Sequence, residues 1–177
     1  MILTDKSIYL RLANEFDAKF ILSLRTDERL NRFITKTDST LERQIEWLRK
    51  YKVREQDGEE FYFIVHRIDS DIPIGTARIY DFLGEENSFC WGSWILNSDK
   101  PKYAAIECIC LVFDFAFFTL GFERAHIDFI KENESVINFH KRIGMTIYRQ
   151  DKTSVYGYIY KSDYLKIKDD FKKISLK

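Results

Sequence analysis

A chain of 177 residues, 45% hydrophobic and 32% charged, fits one domain spanning 1–177. At this length roughly 70% of the unfolded chain's surface can be buried without staples. Lysine plus arginine equals aspartate plus glutamate, 28 against 28, so no global positive field draws in nucleic acid. The three cysteines, Cys90, Cys108 and Cys110, are odd in number and form no CxxC, which argues against a disulfide framework and against a metal site. They read as reduced, small apolar residues.

The opening "MILTDKSIYLRLA" has no basic stretch followed by an apolar one, so no secretory signal is expected and the chain reads as cytoplasmic. "SIYLRLA" alternates as a strand does. In "NEFDAKFILSLRTDERLNRFI", Asn14 offers a cap with Asp17 three residues on, and Phe16, Phe20, Ile21 and Leu24 form a helical stripe. "DSTLERQIEWLRKYKVRE" predicts a second helix, and "QDGEE" a loop. The period then changes. "FYFIVHRI", "IGTARIYDFL" and "SFCWGSWIL" read as three strands joined by turns. Gly92 within the third marks a bulge or a close backbone approach.

Ala104 to Phe122 is apolar and long enough to span a bilayer. Glu107 and Asp114 interrupt it, and a mid-bilayer carboxylate costs roughly 2.5–3.5 kcal/mol. A core helix from near Tyr103 to Gly121 is the better reading, with no membrane partner. "RAHIDFI" follows as a strand, then a helix from about Glu134 to Ile143, then "MTIYRQ" and "SVYGYIYK" as closing strands. A short helix is expected from Asp163, its basic run a solvated face.

This order predicts an α/β (α+β) domain, a mixed sheet of about seven strands with helices on both faces. GxxxxGK[ST], GxGxxG, HExxH and GxSxG are all absent.

From Ser7 to Lys161 the order resembles the GNAT acetyltransferase superfamily. The motif that carries the likeness is Asn133, then His140 seven residues on, then Gly144 and Met145. "LSLRTDERLNRFI" is similar to the first-helix region of the branch that acetylates ribosomal-protein N-termini, and of enzymes acting on amino-sugar nucleotides. The resemblance implies a mostly antiparallel, twisted sheet splayed between its fourth and fifth strands, Ser88–Leu96 and Arg124–Ile130. It also implies acetyl-CoA as co-substrate and a primary amine as acceptor.

Residue by residue, the likeness assigns the pantetheine arm to the backbone of Trp94, Ile95 and Leu96, with an amide there polarising the thioester carbonyl. Asn133 hydrogen-bonds the same arm, and its other reading is an N-cap. The diphosphate falls to Lys100, Lys102, Tyr103, Ala104 and Ala105 at a helix N-terminus. Here the family's R/Q-x-x-G-x-G/A reads Lys100-Pro101-Lys102-Tyr103-Ala104-Ala105, with tyrosine where glycine is usual and one amide removed by proline. His140 stands where the family often has a tyrosine that protonates the departing thiolate. Glu107 reads as structural, and His126 with Asp128 as a polar strand face. Asp81, Glu85 and Glu86 are the remaining acidic candidates for a base.

The favoured acceptor is a small amine, plausibly an amino sugar on a nucleotide carrier. Tyr80, Trp91 and Trp94 would stack on a ring or base, and Arg25, Arg29 or Arg32 would meet a diphosphate. The alternatives are a protein N-terminus and a non-catalytic acyl-CoA-binding module. A monomer or a homodimer is expected.

Overall fold

The computed structural model describes residues 1–34 and 40–174, the side chains of 172–174 excepted. Its single sheet has eight strands. They are β1 (Ile2–Thr4), β2 (Ile8–Leu12), β3 (Phe61–Arg67), β4 (Pro73–Leu83), β5 (Ser88–Leu96), β6 (Arg124–Ile130), β7 (Thr146–Gln150) and β8 (Ser154–Tyr160). The spatial order is β1-β2-β3-β4-β5-β6-β8-β7, and every pairing is antiparallel except β5 with β6. The helices are α1 (Ala18–Thr26), α2 (Leu41–Gln56), α3 (Ala104–Asp114), α4 (Glu134–Arg142) and α5 (Lys161–Ile174).

Alternation along β3 shows why helices cover both faces. Phe61, Phe63 and Val65 enter the large core under α3, where Phe115 meets Phe61 edge-on at 5.1 Å. Tyr62 and Ile64 face the other way, onto Ile21 of α1 and Leu48 of α2. A strand buried on both sides reads as a continuous apolar run, as "FYFIV" does. The long apolar segment is a core helix. After Asp114 it widens into a π-helical turn, Phe115–Thr119, and Gly121, with φ +83°, ends it in the left-handed conformation that glycine adopts without strain. Among the described residues no helix is long and apolar enough to cross a membrane.

Three expectations change. β1 adds an eighth, three-residue edge strand, too short to show a period in sequence. The first helix was expected to run on to Ile34 but ends at Thr26, because Asp27 adopts an extended ψ of 114°. The C-terminal helix has 14 residues and is partly a packing element, since Tyr164 is buried and donates to Asp114 Oδ1 at 2.8 Å. Asp38 and Ser39, read as the start of the second helix, lie outside the described residues. Thr40 caps that helix by accepting from the Arg43 amide.

The feature that positions the site is a parting of strands. β5 and β6 pair only over Ser88↔Arg124, Phe89↔Ala125 and Cys90↔His126. Beyond Cys90 each stays with its outer neighbour, β5 with β4 as far as Leu96 and β6 with β8 as far as Ile130. A bulge lies where they separate. Thr76 pairs with Ile95 but Arg78 pairs with Gly92, so Ala77 of β4 faces two residues of β5, Ser93 and Trp94. Ser93 takes a φ of 48°, and Thr76 Oγ1 donates to its carbonyl at 2.7 Å. A bulge bends and over-twists its strand, which turns β5 away from β6.

Candidate active site

The parted strands enclose a cleft of about 260 Å³, with Trp94 and Ile95 from β5 on one wall and Asp128 and Ile130 from β6 on the other. Asn133 and Val136 close the α4 end, and Arg25 and Phe33 reach in from the opposite side of the sheet. The inner edge of β5 past Cys90 has no strand partner among the described residues. Its last residues lead through a turn directly into the N-terminus of α3.

That N-terminus is built differently from the sequence expectation in one respect. Tyr103 is the N-cap with φ −106°, so no positive φ is required of it, and it makes no side-chain cap. The Ala104 amide donates to the Pro101 carbonyl at 3.1 Å and is already used. Among the described residues the amides of Lys102, Tyr103 and Ala105 have no hydrogen-bond partner. They point to a site for an anion with the helix dipole behind it. Lys102 Nζ lies 4.7 Å from the Tyr103 ring centroid, and Lys100 is exposed.

His140 departs most from its expected part. It lines the cleft but is 0% exposed, among Trp91, Phe129 and Phe139. Its Nε2 accepts from the Trp91 indole at 3.1 Å and its Nδ1 donates to the Val136 carbonyl at 2.8 Å. Burial lowers its pKa to about 4, so it is neutral near pH 7. A neutral ring with both nitrogens engaged has no proton to offer a thiolate. Trp91, also in the cleft lining, is buried with it. It is 3% exposed and its indole N–H is taken by His140, so it offers the cleft little surface.

The structure brings Tyr80 to the cleft and leaves Arg32 out of its lining. Arg32 is exposed with its guanidinium over the Phe33 ring, because the helix that would have carried it inward stops six residues earlier. Arg25, in the last turn of α1, is the arginine that lines the cleft. The Tyr80 hydroxyl sits over Gly92, where an added Cβ would lie 2.8 Å from its oxygen. So Gly92 marks both the bulge and a close approach. Burial raises the Tyr80 pKa, and the phenol keeps its proton. Asn133 precedes α4 without capping it. Its Oδ1 has only a 3.4 Å contact from Ser135 Oγ, and the residue lines the cleft.

Among the described residues Asp128 is the one acidic residue in the lining, a position that the strand pattern alone read as a polar face. Its neighbour on that face, His126, bridges Ser88 Oγ and Asp81 Oδ2, at 2.5 and 3.2 Å. Glu85 and Glu86 are exposed outside the cleft lining, and Glu86 pairs with Arg124. Glu107 is a structural clamp. It is 3% exposed and accepts from the Ser7 amide and hydroxyl at 2.9 Å, joining the start of β2 to the first turn of α3. The cysteines are buried, and burial pushes Cys90 and Cys108 up to about 12 and Cys110 up to about 11, so none is a thiolate near neutral pH.

Comparison with known proteins agrees with this geometry. A model of the acetyltransferase (GNAT) domain matches residues 7–146. A solved structure, apo FdhC, described as a nucleotide-linked sugar GNAT, is similar at 45% identity with a TM-score of 0.90, over 97% of this chain and 96% of that one. Two others share the fold at 17% identity. One is ribosomal-protein-S5-alanine acetyltransferase from Vibrio fischeri, with a TM-score of 0.79 over 93% and 98% of the chains. The other is spermidine N-acetyltransferase from Vibrio cholerae in complex with CoA and spermine, with a TM-score of 0.77 over 91% and 99%. No curated protein matches the chain.

Proposed function

Because this chain belongs to the GNAT acetyltransferase family, we propose that it moves the acetyl group of acetyl-CoA directly to the primary amine of a small molecule, an amino sugar on a nucleotide carrier. The observation that carries the reading is the unpaired inner edge of β5 running into an α3 N-terminus with three unpartnered amides. The pantetheine arm adds to that edge as a strand would, along Trp94, Ile95 and Leu96, with Asn133 as a further polar contact. The diphosphate rests on the amides of Lys102, Tyr103 and Ala105, with Lys100 and Lys102 adding charge. The similarity to a nucleotide-linked sugar GNAT, at 45% identity, supports the acceptor class.

The reaction follows from the groups lining the cleft. The amine nitrogen attacks the thioester carbonyl carbon, a C–N bond forms and the C–S bond breaks. Asp128 takes the proton that the attacking nitrogen sheds. A main-chain amide at the bulged edge stabilises the oxyanion. The thiolate leaves and is protonated by solvent, since His140 is neutral and fully engaged. Tyr80, protonated beside Gly92, contacts the acceptor ring.

Calorimetry with acetyl-CoA followed by thiol release over an amine panel tests the proposal. Saturable binding and turnover with a nucleotide-linked amino sugar are expected. Binding without turnover on any amine points instead to an acyl-CoA-binding module.

A further inference from the structure

A second cavity of about 310 Å³ lies between α1, α2 and the sheet. Arg25 and Ser93 line both it and the cleft, so the two adjoin at the bulge. Their charges differ. Among the described residues the cleft carries the Asp128 carboxylate, whereas the second cavity carries Arg25, Arg43 and Arg78 and no acidic residue in its lining.

Two further observations mark the second cavity as a built site. Gln44 lines it at 6% exposure, and among the described residues the buried Nε of Arg78, also in the lining, has no hydrogen-bond partner. A buried charged donor left unpaired is costly, which favours an anionic ligand as its partner. Arg78 is fixed in advance. It pairs with buried Glu60, and its Cζ lies 5.1 Å from the Trp47 ring centroid and 4.6 Å from that of Tyr80. Glu60 is shared with Arg54 at 2.8 Å, so its one negative charge is divided between Arg54 and Arg78.

We propose that this second cavity binds the diphosphate of a nucleoside-diphosphate-linked acceptor, with Arg25, Arg43 and Arg78 as its charge partners and Gln44 as a neutral donor. The inference rests on the transferase reading and assigns the acceptor's anionic half. The amine half passes the shared wall at Ser93 and reaches Asp128 and Tyr80. Guanidinium forks match phosphate oxygens in pairs. The same arginines repel a polyamine, so the charge pattern separates an anion-bearing amine from a polycation.

The test is calorimetry with UDP and dTDP, each added to protein saturated with coenzyme A so that the coenzyme's own diphosphate site is filled. The parent should bind at least one of them. Arg43→Ala, an exposed position, and Gln44→Leu, which keeps the volume, should each weaken that binding about ten-fold and raise KM for the nucleotide-linked amine in step. Coenzyme A binding, measured in parallel, reports that each variant is folded. Absence of nucleotide binding, or binding indifferent to both substitutions, overturns the site, even if free amines are acetylated and the transferase reading stands. Nucleotide binding that both variants weaken, with no amine acetylated, upholds the site and removes the transferase reading.

Discussion

Trp91 Nε1 donates a hydrogen bond to His140 Nε2 across 3.1 Å, between two buried side chains that line the base of the cleft. With Nδ1 donating to the Val136 carbonyl, the tautomer is fixed and the ring serves to hold Trp91 at the base of the cleft. Such a histidine shows itself through stability. Its folded pKa of about 4 lies below its ordinary 6.5. As pH falls from 6.5 toward 4 the unfolded chain takes up a proton that the folded chain refuses, so stability falls over that window and is unaffected above it. The shift corresponds to about 3 kcal/mol. Urea unfolding between pH 4.5 and 7.5 should therefore show a steeper acid loss for the parent than for His140→Gln. The same variant should keep kcat within a few-fold, whereas loss of a proton donor costs about 10²–10⁴.

Asn133 separates a binding role from a capping one. Its side chain makes no cap hydrogen bond, so Asn133→Ala should leave Tm nearly unchanged. Losing a working cap costs about 1 kcal/mol, or roughly 2–4 °C in a chain of this size. KM for acetyl-CoA should rise several-fold in the same variant. Thermal melts and initial rates on one preparation decide between the two roles.

Glu107 should behave in the opposite way. Removing its carboxylate leaves the Ser7 amide and hydroxyl without their acceptor. Glu107→Ala is expected to lose about 2–3 kcal/mol by chemical denaturation, with kcat unchanged at a temperature where the variant is folded.

Asp128→Asn keeps the shape of the cleft and removes its one acidic side chain. Near neutral pH kcat should fall about 100-fold, with acetyl-CoA affinity retained. Single-turnover rates beside calorimetry check both halves of that statement.

Local pattern sufficed wherever one residue's neighbours in sequence decide its place. The alternation of β2, the apolar run of β3 and the glycine stop at Gly121 are of that kind. The parting of β5 from β6 was reached only through family resemblance, because a missing ladder leaves no periodic trace in either strand. Gly92 signalled the bulge, yet the residue in the left-handed conformation is Ser93, held there by Thr76, 17 positions away. The burial of His140 and Trp91 was missed for the same reason. Each looks accessible in its own segment, and their burial follows from contact across 49 positions. Arg25, Arg43 and Arg78 are likewise scattered in sequence and meet around one cavity only once α1 and α2 dock on the sheet. Arg32 looked equivalent to Arg25 at one helical repeat, but the helix ends before reaching it.

The most direct measurement follows both products at once: free thiol from acetyl-CoA, and acetylated amine by mass spectrometry, with a nucleotide-linked amino sugar as acceptor. One thiol released for each acetylated amine, abolished when the acceptor is left out, is the predicted result. Thiol release with no acetylated amine, or no release with any amine although coenzyme A binds, would contradict direct transfer in the cleft between β5 and β6.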